Sequence, residues 1–429
     1  MYLQKPFILR HVGFVSSRFK GADGVSLETT KWRRTLERMG YECFFFSGLS
    51  DWDSEKSMVV EEAYLGHPLI EDIQHRCFGT AIRDEDLTRE IYSVQLALRR
   101  ALYNFVSYFE IDLLIVENAL TMPTHIPLGL ALTEFIAETS MPVIAHHHDF
   151  SWGKQPYSVN CVEDYLSMAF PPRLPTISHV VINTEAQRQL AYRCGISSIV
   201  IPNVFDFDAQ APEMDDYSRG LRDALGVQSD EVLLFQPTQI IPHKGIEHAI
   251  ELTSHLKDKK AKLLISHLEQ KIGSEYHSRV LDYAKLLEVE VLIRPDIIDA
   301  ERGFSEWGTK KYSLWDCFLN ADFITFPSEY EGFGNAFLEA VWFKRPILVN
   351  RYSVYQQDIE PFKFEVVSMD TFLTPDTVDA VRSFLNNPKA TSVLCQHNFD
   401  LGRRYFSLAL LEQRLKQTLS HFAPLYAQE

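Results

Sequence analysis

Residues 321–340 read Ala321-Asp-Phe-Ile-Thr-Phe-Pro-Ser-Glu-Tyr-Glu-Gly-Phe-Gly-Asn-Ala-Phe-Leu-Glu-Ala340. An apolar run closes at Phe326, a loop opens with Pro327 and Ser328, the chain passes Gly332 and Gly334, and an apolar pattern carrying Glu339 resumes. Strand, turn, helix is the repeating unit of a parallel α/β sheet. The glycines allow backbone amides close to a bound group, and a helix N-terminus favours negative charge. Glu331 and Glu339, seven residues between them, are expected at the helix mouth and about two turns down, near one face. Amides for phosphate oxygens and carboxylates for sugar hydroxyls suit an anionic ligand rich in hydroxyl groups.

Outward from this stretch, short apolar runs alternate with longer amphipathic segments along nearly the whole chain, the pattern of parallel α/β sheets. Strands are expected at 7–15, 41–46, 112–116, 142–147, 179–183 and 198–201, with helices near 26–39, 87–109, 125–138 and 184–193. A break at Ile201–Asp208, followed by the acidic, Pro-containing 209–218, marks a domain boundary. A second alternation follows, with strands near 232–235, 262–266, 289–293, 322–326, 346–350 and 364–367. Residues 50–86 and 294–311 show no regular pattern, and 401–422 places Leu408, Leu411, Leu415 and Leu419 at helical spacing. The domains are therefore 1–205 and 206–400, with a terminal helix in 401–429. The fold class is α/β, two Rossmann-like doubly wound parallel sheets.

Bulk properties narrow the function. The 429 residues carry a formal charge of −16, which argues against nucleic acid as a partner. Six scattered cysteines without a Cys-x-x-Cys pair read as reduced thiols of a cytoplasmic protein rather than a zinc site. No uncharged stretch reaches the ~18 residues of a membrane span. The composition leaves room for a homo-oligomer.

The segment Pro327–Ala340 resembles the donor-site signature of the family-4 (group 1) retaining glycosyltransferases of the GT-B fold, whose two Rossmann-like domains face a central cleft. That resemblance implies that Glu331 contacts the transferred sugar and Glu339 the ribose of the nucleotide. Amides of Gly332, Phe333, Gly334, Asn335 and Ala336 would hold sugar and diphosphate. It also implies a nucleoside-diphosphate sugar as donor, GDP-mannose and UDP-glucose foremost, no obligatory cofactor or metal, and a terminal helix that crosses back to the first domain. The overall look resembles synthases that act on small, soluble acid glycosides such as a glycerate glycoside. Two other readings stay open: a nucleotide-sugar epimerase of the same fold, and a catalytically impaired regulator that binds nucleotide sugars.

Residues 236–250, Gln-Pro-Thr-Gln-Ile-Ile-Pro-His-Lys-Gly-Ile-Glu-His-Ala-Ile, resemble the family's phosphate-binding segment, in which an arginine and, five residues on, a lysine neutralise the departing diphosphate. Lys244 stands at the lysine position. Gln239 stands at the arginine position, and an amide cannot supply the charge of a guanidinium. His243, Arg294 and Arg302 are candidates to compensate. In Ala145-His-His-His-Asp149, His146 and His148 should point to one side of a strand and His147 to the other, so three adjacent imidazoles cannot converge on one ion and no metal is expected. The resemblance puts a histidine of this segment near the transferred sugar, His148 first and His147 second, with Asp149 on the acceptor side. The loop after the first strand supplies Gly21, Asp23 and Gly24 for donor phosphate and acceptor. Asp206 and Asp208 mimic a metal-binding triplet, but their place at the domain boundary favours coincidence.

Overall fold

The computed structural model describes residues 9–21, 24–266 and 275–422. The chain divides into two compact units, one comprising Met1–Val204 with Leu408–Glu429 and the other Phe205–Ser407. Residues 401–407 thus belong to the second unit, where helix Pro388–Tyr405 ends, and only from Leu408 does the chain rejoin the first.

Unit 1 is built on seven strands: β1 His11–Val15, β2 Glu42–Ser47, β3 Ser57–Val59, β4 Leu113–Glu117, β5 Val143–His147, β6 Ile177–Val181 and β7 Ser198–Val200. They pair in the order β3-β2-β1-β4-β5-β6-β7, every pairing parallel. Every residue of β4 and β5 is buried, as a sheet covered on both faces requires. The order reverses between β1 and β4. At such a switch point the adjoining connections leave to opposite sides, and a crevice opens beyond the carboxyl ends of the strands.

One face of this sheet is closed from far away in sequence. Leu408, Leu411 and Leu415 of helix Leu408–Ser420 join a core cluster with Val12 and Phe14 of β1 and Trp32 and Leu36 of helix Gly24–Arg38, all of them buried. Complete burial stabilises by about 1.5–3 kcal/mol per leucine.

Unit 2 has a six-stranded parallel sheet: β8 Leu233–Gln236, β9 Lys262–Ile265 and β10 Val291–Leu292, then, beyond a small sheet, β14 Phe323–Phe326, β15 Ile347–Asn350 and β16 Val367–Met369. The small sheet comprises β11 Ile298–Asp299, β12 Gly303–Phe304 and β13 Lys310–Ser313. The main order is β10-β9-β8-β14-β15-β16, so the switch point lies between β8 and β14. Of the two stretches expected to be irregular, 294–311 holds β11 and β12, and 50–86 holds β3 and helix Pro68–Cys77. Among the described residues no helix is long and apolar enough to cross a membrane, and all six cysteines are free.

Candidate functional site

The two sequence stretches with the strongest chemical signal leave the two strands that flank the switch point of unit 2. Residues 237–245 follow β8, and 327–334 follow β14. Their strands are paired, Phe323 opposite Leu234 and Ile324 opposite Phe235, and this pairing carries both loops to one edge.

Lys244 ends a 3₁₀ turn, Pro242–Lys244, and its carbonyl accepts a 3.0 Å hydrogen bond from the Gln236 side chain. Gly245 follows with φ +60°, and a Cβ there would lie 2.4 Å from the Pro327 carbonyl oxygen. Only glycine permits both that conformation and that approach. The loops are then stitched together. The Glu329 amide donates to the His243 carbonyl at 2.9 Å, and the His243 ring lies 4.7 Å from that of Tyr330. Lys244 Nζ donates to Glu331 Oε1 at 2.6 Å, with the two side chains 17% and 14% exposed. The sequence nominated these two residues separately; the fold makes them an ion pair.

Glu331 does not stand on the helix. Gly332 and Gly334 delay its start, and the helix spans Asn335–Trp342. Glu339 is therefore about one turn inside, and the expected two-turn spacing down one face is corrected: Glu331 is held by a loop, Glu339 by the helix. The loop is fixed from below. Tyr352 Oη donates to the Phe333 carbonyl at 2.7 Å, and the Asn350 side chain donates to the Ser328 carbonyl at 3.0 Å. Gly334 has φ +117°, and a Cβ on it would lie 2.4 Å from the Tyr352 hydroxyl oxygen. Burial first, and the Glu331 charge after it, push the Tyr352 phenol well above its ordinary range, so it remains a donor. The helix behind presents amides of its first turn, among them those of Asn335 and Ala336.

The fold does not place Arg294 or Arg302 at Gln239. Arg294 forks onto Asp296 at 2.8 and 2.7 Å, and Arg302 bonds Asp316 and Asp215. Gln239 itself is exposed.

In unit 1 the crevice at the switch point collects a different set. A cavity of about 190 Å³ is lined by Ser16, Arg18, Glu117, Asn118 and Asp149 among others. Asn118 takes the left-handed conformation, φ +59°, which asparagine tolerates better than most side chains. Its amide donates to the His146 carbonyl at 2.8 Å, and its Oδ1 accepts from the amides of His148 and Asp149 at 3.1 and 3.2 Å. Asp149 also pairs with Lys154. Glu117 stands opposite His146 in the β4–β5 register. Its Oε2 accepts from His146 Nδ1 and His148 Nε2, each at 2.9 Å.

His146 and His148 share a side and His147 takes the other, as strand alternation requires. His147 is thereby removed from the crevice: it is fully buried, its Nε2 2.8 Å from Nδ1 of His179. Gly21 has a positive φ with open space around it, Gly24 begins a helix, and Asp23 lies outside the described residues. Glu117, His146 and His148 are the grouping among the described residues that brings three metal-ligating atoms within 4.8 Å of one another. Their 2.9 Å separations are ordinary N–H···O lengths and need no ion. Asp206 and Asp208 join no such grouping.

Sequence reasoning missed Glu117 and Asn118. The signal available was a carboxylate and an asparagine placed directly after the apolar run Leu113–Val116.

No protein-family profile matches the chain. It is 31% identical over 395 residues to the mannosylglucosylglycerate synthase of Petrotoga mobilis, covering 83% of this chain and 86% of that one. It is 30% identical over 428 residues to the mannosylglucosylglycerate synthase of Thermotoga maritima, covering 92% and 96%. Among solved structures it is similar to a glycosyltransferase from Rickettsia africae, with a TM-score of 0.68, 12% identity and 99% and 100% of the two chains covered. Anabaena HepE in complex with UDP-glucose gives a TM-score of 0.63 at 13% identity, covering 96% and 99%. At these identities the structural likenesses carry the fold, GT-B, and nothing finer.

Proposed function

Because the chain belongs to the mannosylglucosylglycerate synthase family, glycosyltransferases of the GT-B fold, we propose that it moves a hexose, mannose or glucose, from a nucleoside-diphosphate sugar to a hydroxyl of a small acid glycoside with retention of anomeric configuration. The observation that carries this reading is the Lys244–Glu331 pair at the switch point of unit 2.

Each of the two charges is the other's partner. A diphosphate arriving at the first-turn amides after Gly334 would draw the ammonium to its oxygens and free the Glu331 carboxylate for a sugar hydroxyl. The preorganised cation and amides would then meet the charge that develops on the departing diphosphate. Glu339, inside the helix, is the residue proposed for the ribose. His148 and Asp149 of unit 1 are proposed to engage substrate hydroxyls, with the acceptor proton passing to a phosphate oxygen. An acid acceptor is further favoured by a cavity of about 630 Å³ in unit 1, bordered by Lys154, Arg173 and Arg193 against one carboxylate, Glu163.

Incubation with GDP-mannose and UDP-glucose, with and without glucosylglycerate, tests the reading. Diphosphate release that depends on the acceptor, with NMR of the product showing the donor's anomeric configuration, is the expected result. Free sugar or an epimer formed without acceptor would replace the transferase by an epimerase, and binding without turnover by a regulator.

Two variants probe the donor side. Glu339→Ala should raise the donor KM with little change in kcat, because a ribose contact is shared by ground and transition states; a loss confined to kcat would contradict the assignment. For Gln239→Arg, the commitment of Arg294 and Arg302 to other carboxylates leaves the phosphate charge unreplaced by either. A new guanidinium should therefore tighten donor binding about tenfold, near the lower end of the ~1.5–3 kcal/mol of a charge-assisted hydrogen bond. Weaker binding in isothermal titration would show a site built around glutamine.

A further inference from the structure

Glu117 is fully buried, and both partners of its Oε2 are imidazoles. Burial alone would push its carboxyl up, but the two imidazole N–H donors outweigh that effect and hold it down. The group is a carboxylate at any working pH. Its second oxygen, Oε1, is buried without a partner, as is Nε2 of His146.

These contacts fix the protons. A carboxylate only accepts, so His146 must present Nδ1–H and His148 must present Nε2–H to the same oxygen. Burial pushes the His146 imidazole toward its neutral form. Its ring lies against Trp32, centroids 4.1 Å apart and planes 26° from parallel, which leaves it little freedom to turn. His148 differs from it in one respect. Its side chain is 10% exposed, its Nδ1 carries no hydrogen bond among the described residues, and that atom is not among the buried unpaired ones. Nδ1 is therefore the lone pair that the arrangement presents outward.

We propose that Glu117 is the positioning residue of His148: it locks the imidazole with its proton on Nε2, so that Nδ1 is offered as an acceptor to a substrate hydroxyl. Asn118, which holds the amides of His148 and Asp149, fixes the backbone of the same loop, while Glu117 fixes the ring. His146 shares the carboxylate and keeps it in place from the strand side. The arrangement resembles the division of labour in which a buried carboxylate orients a histidine and never itself takes the proton.

This inference rests on the assignment of His148 to a substrate hydroxyl, and a double-mutant cycle separates the two. Glu117→Gln keeps the shape but replaces the carboxylate by an uncharged, weaker acceptor for the two imidazole N–H groups and puts a new N–H pair where Oε1 finds no partner. With the donor and acceptor identified as above, kcat should fall about 100-fold in Glu117→Gln and comparably in His148→Ala, with the donor KM within about twofold. The double variant should be no worse than His148→Ala alone, because the glutamate acts through the histidine. An equal further loss in the His148→Ala background would show a structural role and overturn the proposal. Normal turnover in His148→Ala would instead remove the parent assignment.

A measurement independent of folding of the variants is ¹⁵N NMR of the wild-type imidazoles. His148 protonated on Nε2 supports the lock, and protonation on Nδ1 overturns it. So does one equivalent of zinc or another divalent metal in the purified protein that is lost in Glu117→Gln, since the three side chains would then be ligands rather than a hydrogen-bonded set.

Discussion

Lys244→Ala and Glu331→Ala are each expected to lower kcat by about 100-fold or more, the usual loss when one preorganised polar contact to developing charge is removed. The pair gives this expectation a further edge. In Lys244→Ala the Glu331 carboxylate, 14% exposed, loses its cation and repels an incoming diphosphate. In Glu331→Ala the ammonium is freed, and the phosphate gains what the carboxylate gave up. The two variants should thus part company in donor binding: KM for the nucleotide sugar rises in Lys244→Ala and holds or falls in Glu331→Ala, while kcat collapses in both. Steady-state kinetics decide the matter, and near-normal turnover in both variants would remove the site from unit 2.

Acidification is expected to weaken the fold steeply below neutrality, through buried histidines to which the proposed mechanism gives no step. His125 caps helix Ile126–Thr139: its Nδ1 accepts from the Leu128 amide at 3.1 Å while Nε2 donates to the Glu62 carbonyl at 2.8 Å. His179 meets His147 Nε2 through its own Nδ1 at 2.8 Å. Burial disfavours the charged form of both rings, and at His125 a second proton would also turn an N–H toward the Leu128 amide, so His125 and His179 are each pushed down to about 4. Because the folded pKa lies below that of the unfolded chain, 6.5, the unfolded state binds more protons. The stabilisation is complete above pH 6.5 and drains away as pH falls toward 4. By linkage each histidine costs about 2 kcal/mol between pH 7.5 and pH 5. Chemical denaturation across that range should show the unfolding free energy drop by about 4 kcal/mol for the two together, and a flat profile would show that these rings are not held neutral.

The two loops at the switch point of unit 2 were legible in the sequence because their chemistry is contiguous: Pro327–Ala340 and Gln236–Ile250 each carry strand end, turn and helix start within about fifteen residues. Helix entry after Gly334 was legible, but the depth of Glu339 was overcounted from Glu331, which the loop tied to Tyr352 keeps off the helix. The Lys244–Glu331 pair was not legible. It depends on β8 lying beside β14, which brings together two residues 87 apart in the chain. Glu117 was hidden for the same reason, since its meaning comes from β5 on the adjacent strand, whereas the alternation that separates His147 from His146 and His148 needs only the strand itself. Very short strands escaped as well: β3, β11 and β12 have two or three residues, too few for an alternating pattern to stand out.

The terminal helix gives unit 1 a peculiar order of assembly. Synthesis delivers β1 and helix Gly24–Arg38 at the start, yet the leucines that cover Val12, Phe14, Trp32 and Leu36 are translated almost four hundred residues later. All of unit 2 has to leave the ribosome in the interval. Throughout it a greasy strip on the nascent chain lies bare, a natural landing place for chaperones. A fragment that stops at Val204 would carry that strip permanently, and supplying residues 408–422 as a separate peptide is a direct way to close it.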